Sequence, residues 1–465
     1  VKYISTRGQA KSLDFKGVTL TGLARDGGLY VPETVPVFNA DKIRNMRGKS
    51  YSDIAFEVIQ PFVVGSVSDN ALRQMLDATY GDAFRHSAVA PLVQLDTNAW
   101  LLELFHGPTL AFKDFALQLL GRFFDHFTAA GNEKLTILGA TSGDTGSAAI
   151  EGCRGRKNVS IFMLHPKGRV SDVQRRQMTT VIEPNVVNIA IDGTFDDCQA
   201  LVKACFNDLA FRDTVGLTAV NSINWARVMA QIVYYFTSAV ALGAPDRKVS
   251  FCVPTGNFGD IFAGYIAKAM GLPVGTLAIA TNSNDILART LETGRYASGK
   301  ASSTLSPSMD IQVSSNFERL LFDLTGRDGA QVQAYMDTFT TDKGFDLDKA
   351  HVEVLRRDFV AGRADDTTTQ AVMKAYQAKT GYIADPHTAV GLEVADKILP
   401  SGAIPKVTLS TAHPVKFGAA VQRACGVTPE LPVHMADLMH REERFEVLEN
   451  DKAALQARVL QGAAL

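Results

Sequence analysis

The chain has 465 residues, with 47 basic against 49 acidic side chains, a formal charge of -2, and 46% hydrophobic and 21% charged residues. These values exclude a disordered chain, which needs fewer apolar residues or more net charge. The balanced charge removes the electrostatic footprint of a nucleic-acid binder, and no apolar run reaches the roughly 18 residues that mark a membrane-spanning helix.

The opening VKYISTRGQAKSLDF has no apolar core followed by a cleavage site, so no signal peptide is expected. Residues 1–90 read as a small mixed domain. GVTLTGLARDGGLYVPE is rich in strand formers and turn glycines, and SDIAFEVIQPF and SDNALRQMLDATYG each open with a serine able to cap a helix. The stretch Gly81–Pro91 is the expected boundary to the remainder, residues 91–465.

From there apolar runs alternate with glycine-bearing turns and helix-length segments. The runs are LTILGA (135–140), VSIFML (159–164), VVNIAI (186–191), VSFCVP (249–254), GTLAIA (275–280) and VTLST (407–411). Continuous apolar strands alternating with helices predict an α/β protein with largely parallel, doubly covered sheets. Residues 283–380 are poorer in such runs and read as a helical insertion. Size scaling sets the folded surface at about 17,000 Å². Cys153, Cys198, Cys205, Cys252 and Cys425 are odd in number and scattered. They read as reduced thiols of a cytoplasmic protein, not as a disulfide frame or a zinc site.

In open α/β sheets ligands sit at the carboxyl ends of strands. LTILGATSGDTGSAAIEG runs from a strand through Thr141, Ser142, Gly143, Asp144, Thr145 and Gly146 into a helix of small residues. VSFCVPTGNFGDIFAGY places Gly256, Asn257, Phe258 and Gly259 at the same kind of junction. Exposed N–H groups at a helix start form an anion site, and the glycines admit close approach; the alternative is two tight turns without a ligand. VTLSTAHPVKFG ends a strand at Ser410 and Thr411, whose hydroxyls are either ligand donors or simple caps. In AVNSINWARVMAQIVYYF, Asn221, Ser222, Asn224 and Arg227 supply donors near a helix start, and Arg suits bidentate anion binding. An exposed polar cap is the competing reading there.

Lys113 stands out among Leu110, Ala111, Phe112 and Phe115, at or near a helix start. An apolar setting beside a positive helix end favours the neutral, nucleophilic amine. On context alone, a lysine snorkelling to water from an amphipathic helix is the stronger of the two readings. His106 reads as a loop histidine; Asp385 and His387 sit where a turn enters a helix and receive no chemistry from sequence. No HExxH, CxxC pair or carboxylate cluster suggests a metal.

Together, YISTRG, GLARDGGLYVPE, FHGPTLAFKDFALQ, ATSGDTGSAA and PTGNFGDIFAGYIAKAMGLP resemble, in order and over nearly the whole chain, the threonine synthases, of the longer microbial and fungal type. These are fold type II pyridoxal-phosphate (PLP) enzymes. The resemblance implies a tryptophan synthase β-like fold of two open, mostly parallel sheets with flanking helices and a small N-terminal domain. It implies that Lys113 forms the internal aldimine with PLP, and that Gly256, Asn257, Phe258 and Gly259 hold the cofactor phosphate. Thr411 would bond the pyridine nitrogen, and Asp144 would lie near the ring oxygen, where many relatives in the wider family carry Asn. Ser142, Gly143 and Thr145 would bind the substrate carboxylate, and Asn221, Ser222 and Arg227 the substrate phosphate. The implied reaction is γ-elimination of phosphate from O-phospho-L-homoserine and β-addition of water, giving L-threonine. A small-molecule substrate, no nucleic acid or membrane partner, and a monomer or weak homodimer complete the expectation. The competing readings are a dehydratase or β-replacement enzyme of the same family, and a non-catalytic binder of a phosphorylated metabolite.

Overall fold

Unbroken apolar runs can be buried on both faces, and here they build two sheets. The computed structural model describes residues 1–81, 83–129, 133–400 and 402–463. One sheet has six strands, in the order Phe359–Arg363, Val274–Thr281, Val249–Pro254, Lys406–Ser410, Ala99–Glu103 and Leu92–Asp96. Its neighbours run parallel except for the hairpin of the last two. The other sheet has five parallel strands, ordered Glu446–Leu448, Val186–Ile191, Val159–Pro166, Leu135–Ala140 and Leu217–Thr218. Val159–Pro166 and Val249–Pro254 are buried along their whole length, as parallel strands covered on both faces must be. The expected fold class is the one that forms. The exposed surface, 17690 Å², lies close to the size-scaling value. Among the described residues no helix is long and apolar enough to cross a membrane.

The first eighty residues hold a two-stranded antiparallel pair, Tyr3–Ser5 with Tyr30–Pro32, and the helices Phe15–Thr21, Ala40–Arg44, Tyr51–Val63 and Asp69–Leu76. Their aromatic side chains share the main core. The ring of Phe15 lies 5.0 Å from that of Phe123, Tyr51 5.7 Å from Phe115, and Phe62 5.8 Å from Trp225. These contacts pin the N-terminal segment onto the helices Lys113–Ala129 and Trp225–Ala241, which carry two of the candidate residues.

Local readings differ from the structure in three places. GVTLT, rich in strand formers, is helical, because Asp14 caps the helix and Phe15 and Val18 bury one face. The cap of Tyr51–Val63 is Ser50, not Ser52; Ser68 caps Asp69–Leu76 as expected. Within 283–380, besides the helices Ile286–Thr293, Phe317–Leu324, Gly329–Asp342, Lys349–Asp358 and Asp366–Thr380, Phe359–Arg363 is a strand at the edge of the six-stranded sheet. It is short and only half-buried, so it lacks the apolar signal of the central strands. Asp82, inside the expected boundary Gly81–Pro91, lies outside the described residues.

The helices Lys113–Ala129 and Asp144–Cys153 meet glycine to backbone. A Cβ on Gly121 would stand 1.9 Å from the carbonyl oxygen of Gly152, and one on Gly152 would stand 2.3 Å from that of Leu117. This contact fixes the spacing between the two helix starts, and so between Lys113 and Asp144. Gly121→Ala is expected to destabilise the protein by about 3 kcal/mol, the upper end of overpacking costs. A lower urea midpoint at unchanged slope would register it.

His165, on Val159–Pro166, is 2% exposed, and its Nδ1 has no partner. Burial, with the nearby Arg175 charge, pushes its pKa down to about 4. The unfolded chain therefore takes up this proton at higher pH than the folded one. The stabilisation is complete above the unfolded value of about 6.5 and is lost as pH falls through 4; it amounts to about 3 kcal/mol. Between about pH 7 and about pH 4, the melting temperature of wild type should fall further than that of His165→Gln.

Candidate active site

Five loops at the carboxyl ends of parallel strands converge. Ala99–Glu103 leads to Lys113, Leu135–Ala140 to Ser142–Thr145, Leu217–Thr218 to Asn221–Arg227, Val249–Pro254 to Gly256–Gly259, and Lys406–Ser410 to Thr411. Lys113 is the first residue of its helix and is 7% exposed. It does not snorkel. Its Nζ lies 3.3 Å from Asp144 Oδ2 and 3.5 Å from Ser308 Oγ, with the Phe112 ring 4.7 Å away. Burial pushes the Lys113 amine below its ordinary pKa; Lys416 and Arg227 push the same way, and Asp144 opposes them.

Asp144 is the electrostatic hub. Its Oδ1 accepts from Gln174 Nε2 at 2.8 Å and lies 2.9 Å from Lys416 Nζ; its Oδ2 also accepts from Ser308 Oγ at 3.2 Å. Burial alone would raise this carboxyl, but Lys416 first and Lys113 second outweigh it and hold Asp144 well below the usual range. Lys113 and Asp144 thus both shift downward, which a simple ion pair would not do. The reason is that one carboxylate serves two lysines, and Lys416 is the closer.

The loop Ser142–Thr145 spends few of its donors. The Thr141 hydroxyl accepts from the N–H groups of Gly143 and Gly146, at 2.9 and 2.8 Å. The N–H groups of Ser142, Asp144 and Thr145 and the hydroxyls of Ser142 and Thr145 bond to nothing among the described residues. Gly143 has φ 137°, open only to glycine, and a Cβ there would run into Gln174 at 2.6 Å.

The cradle Gly256–Gly259 is similar. Phe258 caps the helix Gly259–Ala269 in the left-handed conformation, φ 63°. The N–H groups of Gly256, Asn257, Phe258 and Gly259 find no acceptor among the described residues, while Ser314 Oγ and Asn316 Nδ2 hold the Gly256 and Asn257 carbonyls at 2.6 and 3.0 Å. Outward N–H groups at a helix start favour an anion. Thr411 is buried; its carbonyl accepts from Phe112 N–H at 2.9 Å, and its hydroxyl is unspent among the described residues.

Arg227 is 5% exposed, and among the described residues no carboxylate pairs with it. Its Nη1 donates to the Val220 carbonyl at 3.2 Å and its Nε has no partner. Burial lowers its pKa to about 10, which leaves it charged at neutral pH. Asn221 and Ser222 stand half-buried on the preceding turn. Asn224 is a cap: it accepts from Ala226 N–H at 3.1 Å and donates to the Thr19 carbonyl at 2.9 Å.

His106 is not brought to Lys113. Its Nε2 lies 2.8 Å from Glu103, and it lines a cavity of about 370 Å³ with Arg85, Tyr382 and His413. Sequence reasoning missed Lys416, Ser308, Gln174 and the pair Asp385–His387. His387 Nδ1 lies 2.8 Å from Asp385, and its Nε2 accepts from Ser308 N–H at 3.2 Å, which places the ring proton on Nδ1. Lys416 carried a usable signal, because VKFG repeats just past a strand end the apolar-flanked lysine of AFKDF. Among the described residues no group of three or more His, Cys, Asp or Glu is placed to hold a metal ion.

A buried lysine at a helix start, facing unspent anion donors at the ends of parallel strands, defines a pyridoxal-phosphate dependent enzyme of fold type II, and the family model "Pyridoxal-phosphate dependent enzyme" matches residues 85–338. Within that class the chain belongs to the threonine synthases: "Threonine synthase N terminus" matches residues 2–80 and "Threonine synthase, C-terminal" residues 388–459. A threonine synthase of Pseudomonas aeruginosa is 56% identical over 99% of this chain and 98% of its own. The crystal structure of PLP-bound threonine synthase from Brucella melitensis superimposes with a TM-score of 0.96, at 54% identity, over 99% of each chain. That of yeast threonine synthase gives 0.92 at 40% identity, over 100% of this chain and 99% of its own.

Proposed function

We propose that this chain converts O-phospho-L-homoserine and water into L-threonine and phosphate, using pyridoxal 5'-phosphate carried on Lys113. The observation that carries the reading is the set of three unspent donor clusters around one buried lysine: Gly256–Gly259, Ser142–Thr145, and Asn221, Ser222 and Arg227. The reaction has three anions to place: the cofactor phosphate, the substrate carboxylate and the substrate phosphate.

The residues present fit the cofactor. Four outward N–H groups at a helix start suit its phosphate, a glycine lets it approach, and the unspent Thr411 hydroxyl suits its ring nitrogen. When bound, the cofactor supplies an electron sink for carbanions next to the amino group. A neutral hydroxyl at the ring nitrogen, in place of a carboxylate, leaves that sink weaker and disfavours transamination.

The chain's own groups do the rest. Ser142, Gly143 and Thr145 hold the substrate carboxylate, which orients the Cα–H bond toward Lys113. The Lys113 amine, freed by the substrate amine, takes that proton; burial and the neighbouring cations favour its neutral, basic form. Arg227, with Asn221 and Ser222, holds the phosphate and stabilises the charge that grows on the departing oxygen. Asp144 sits beside Lys113 and orients its nitrogen. The same amine moves a second proton, from Cβ to Cγ, as phosphate leaves. Cγ becomes the methyl group, water gives its hydroxyl to Cβ and its proton to the phosphate, and the Cα proton is returned.

The finer classification is a carbon–oxygen lyase acting on phosphate. Five unpaired cysteines support a cytoplasmic enzyme, and we take it as a monomer or weak homodimer with a small N-terminal domain, residues 1–90. The test measures phosphate released from O-phosphohomoserine against oxo-acid formed from serine or threonine. Stoichiometric threonine and phosphate are expected. Oxo-acid as the main product would replace this reading with a dehydratase.

A further inference from the structure

We propose that Lys416 is a positioning residue of this site, acting through Asp144 to disfavour protonation of the Lys113 nitrogen. The inference rests on Lys113 carrying the cofactor and gives a role to a lysine outside that assignment.

Lys416 lies in the turn Pro414–Phe417, just after the Lys406–Ser410 strand that leads to Thr411. It is 1% exposed. A lysine so buried needs partners. Its Nζ donates to the Thr109 carbonyl at 2.8 Å and stands 2.9 Å from Asp144 Oδ1. The two carboxylate oxygens are thereby divided. Oδ1 takes Lys416 and Gln174; Oδ2 takes Lys113 and Ser308, at longer distances.

Charge counting follows from this division. Asp144 is the one carboxylate in ion-pair contact with either lysine among the described residues. Neutralised by Lys416, it has little left to hold a second ammonium. Among the described residues, none of the other charged or titratable groups facing Lys113 and Asp144 makes an ion pair with Lys113. Arg227 adds a positive charge. Asp260, within electrostatic reach, is held by the hydroxyls of Tyr234 and Tyr235, at 2.5 and 3.0 Å. His387 is bound to Asp385. Without Lys416, the Asp144 charge would fall on Lys113 alone and hold its proton more tightly. The Thr109 contact also ties Lys416 to the loop that leads into Lys113, so charge and position are set by the same group.

The test is an absorbance-monitored pH titration of the holoenzyme in wild type, Lys416→Met, Lys416→Arg, Asp144→Asn and the double variant Lys416→Met/Asp144→Asn. Borohydride reduction and peptide mapping come first. A pyridoxyl tag away from Lys113 would sink the functional reading itself; a tag on Lys113 leaves the titration to judge Lys416. Lys416→Met should raise the apparent pKa of the Lys113 linkage by about one unit or more, a tenfold gain in proton affinity. Asp144→Asn should lower it, and Lys416→Arg, which keeps the charge, should stay within about half a unit of wild type. Should Lys416→Met fail to fold, or titrate out of range, Lys416→Gln is read in its place, with the same rise expected. In the Asp144→Asn background the loss of Lys416 should move the titration by less than about half a unit. A rise there as large as in the single variant, or no rise on removing Lys416 from the wild type, would overturn the proposal.

Discussion

Lys113→Ala is expected to give a folded, colourless protein whose turnover is lower by about 10⁴-fold or more. The lysine has two roles in the proposed reaction, and alanine ends both. It holds the cofactor, and it moves the Cα proton, a general-base contribution worth about 10²–10⁴ by itself. The structure leaves few substitutes nearby. The Lys416 nitrogen is spent on Asp144 and the Thr109 carbonyl, and His106 Nε2 is held by Glu103 at 2.8 Å. Folding should survive, because the substitution leaves Asp144 still paired with Lys416. The melting temperature should therefore stay close to that of wild type while the absorbance of the bound cofactor and phosphate release are both lost. A variant that kept a borohydride-reducible chromophore and more than about a hundredth of the turnover would place the chemistry on another group.

How much of this was legible in the sequence depends on where each signal resides. The central strands read correctly because a strand buried on both faces must be apolar throughout, as Val159–Pro166 and Val249–Pro254 are. The strand-to-helix turns at Ser142–Thr145 and Gly256–Gly259 were legible for a related reason. A strand end, a glycine and a run of unspent donors lie within a few residues of each other. GVTLT misled because strand propensity is a weak local preference, and the burial of Phe15 and Val18 against the Lys113 helix overrides it. Phe359–Arg363 escaped because an edge strand has one apolar neighbour where a central strand has two. The Asp144–Lys416 pair and the placement of Ser308 could not be read at all. They join segments far apart in the chain, and only the crossing of the two sheets' loops brings them together. The residues were visible; which of them share one carboxylate was not.

Arg227→Gln should lower kcat/KM for the phosphorylated substrate by about 10²–10³-fold while leaving cofactor binding unchanged. Loss of a buried charged donor to an ionic partner costs about 2–5 kcal/mol, and each 1.4 kcal/mol is about tenfold. The structure supplies the conditions for a loss of that size. The guanidinium is 5% exposed, remains charged at neutral pH, has an unspent Nε, and meets no carboxylate among the described residues. A cation kept buried and unpaired is a cost to stability, so in the free enzyme the glutamine variant should melt no lower than wild type, and somewhat higher if anything. This opposite movement of stability and activity separates a ligand-binding arginine from one that supports the fold. Arg227→Lys should recover only part of the loss, since an ammonium cannot make two parallel bonds to a phosphate. The control is any oxo-acid formed from serine, which has no phosphate to hold. The rate of its formation should change little in Arg227→Gln. Equal losses with both substrates would mean that Arg227 acts on the common amino-acid portion, and the third anion site would have to be sought elsewhere.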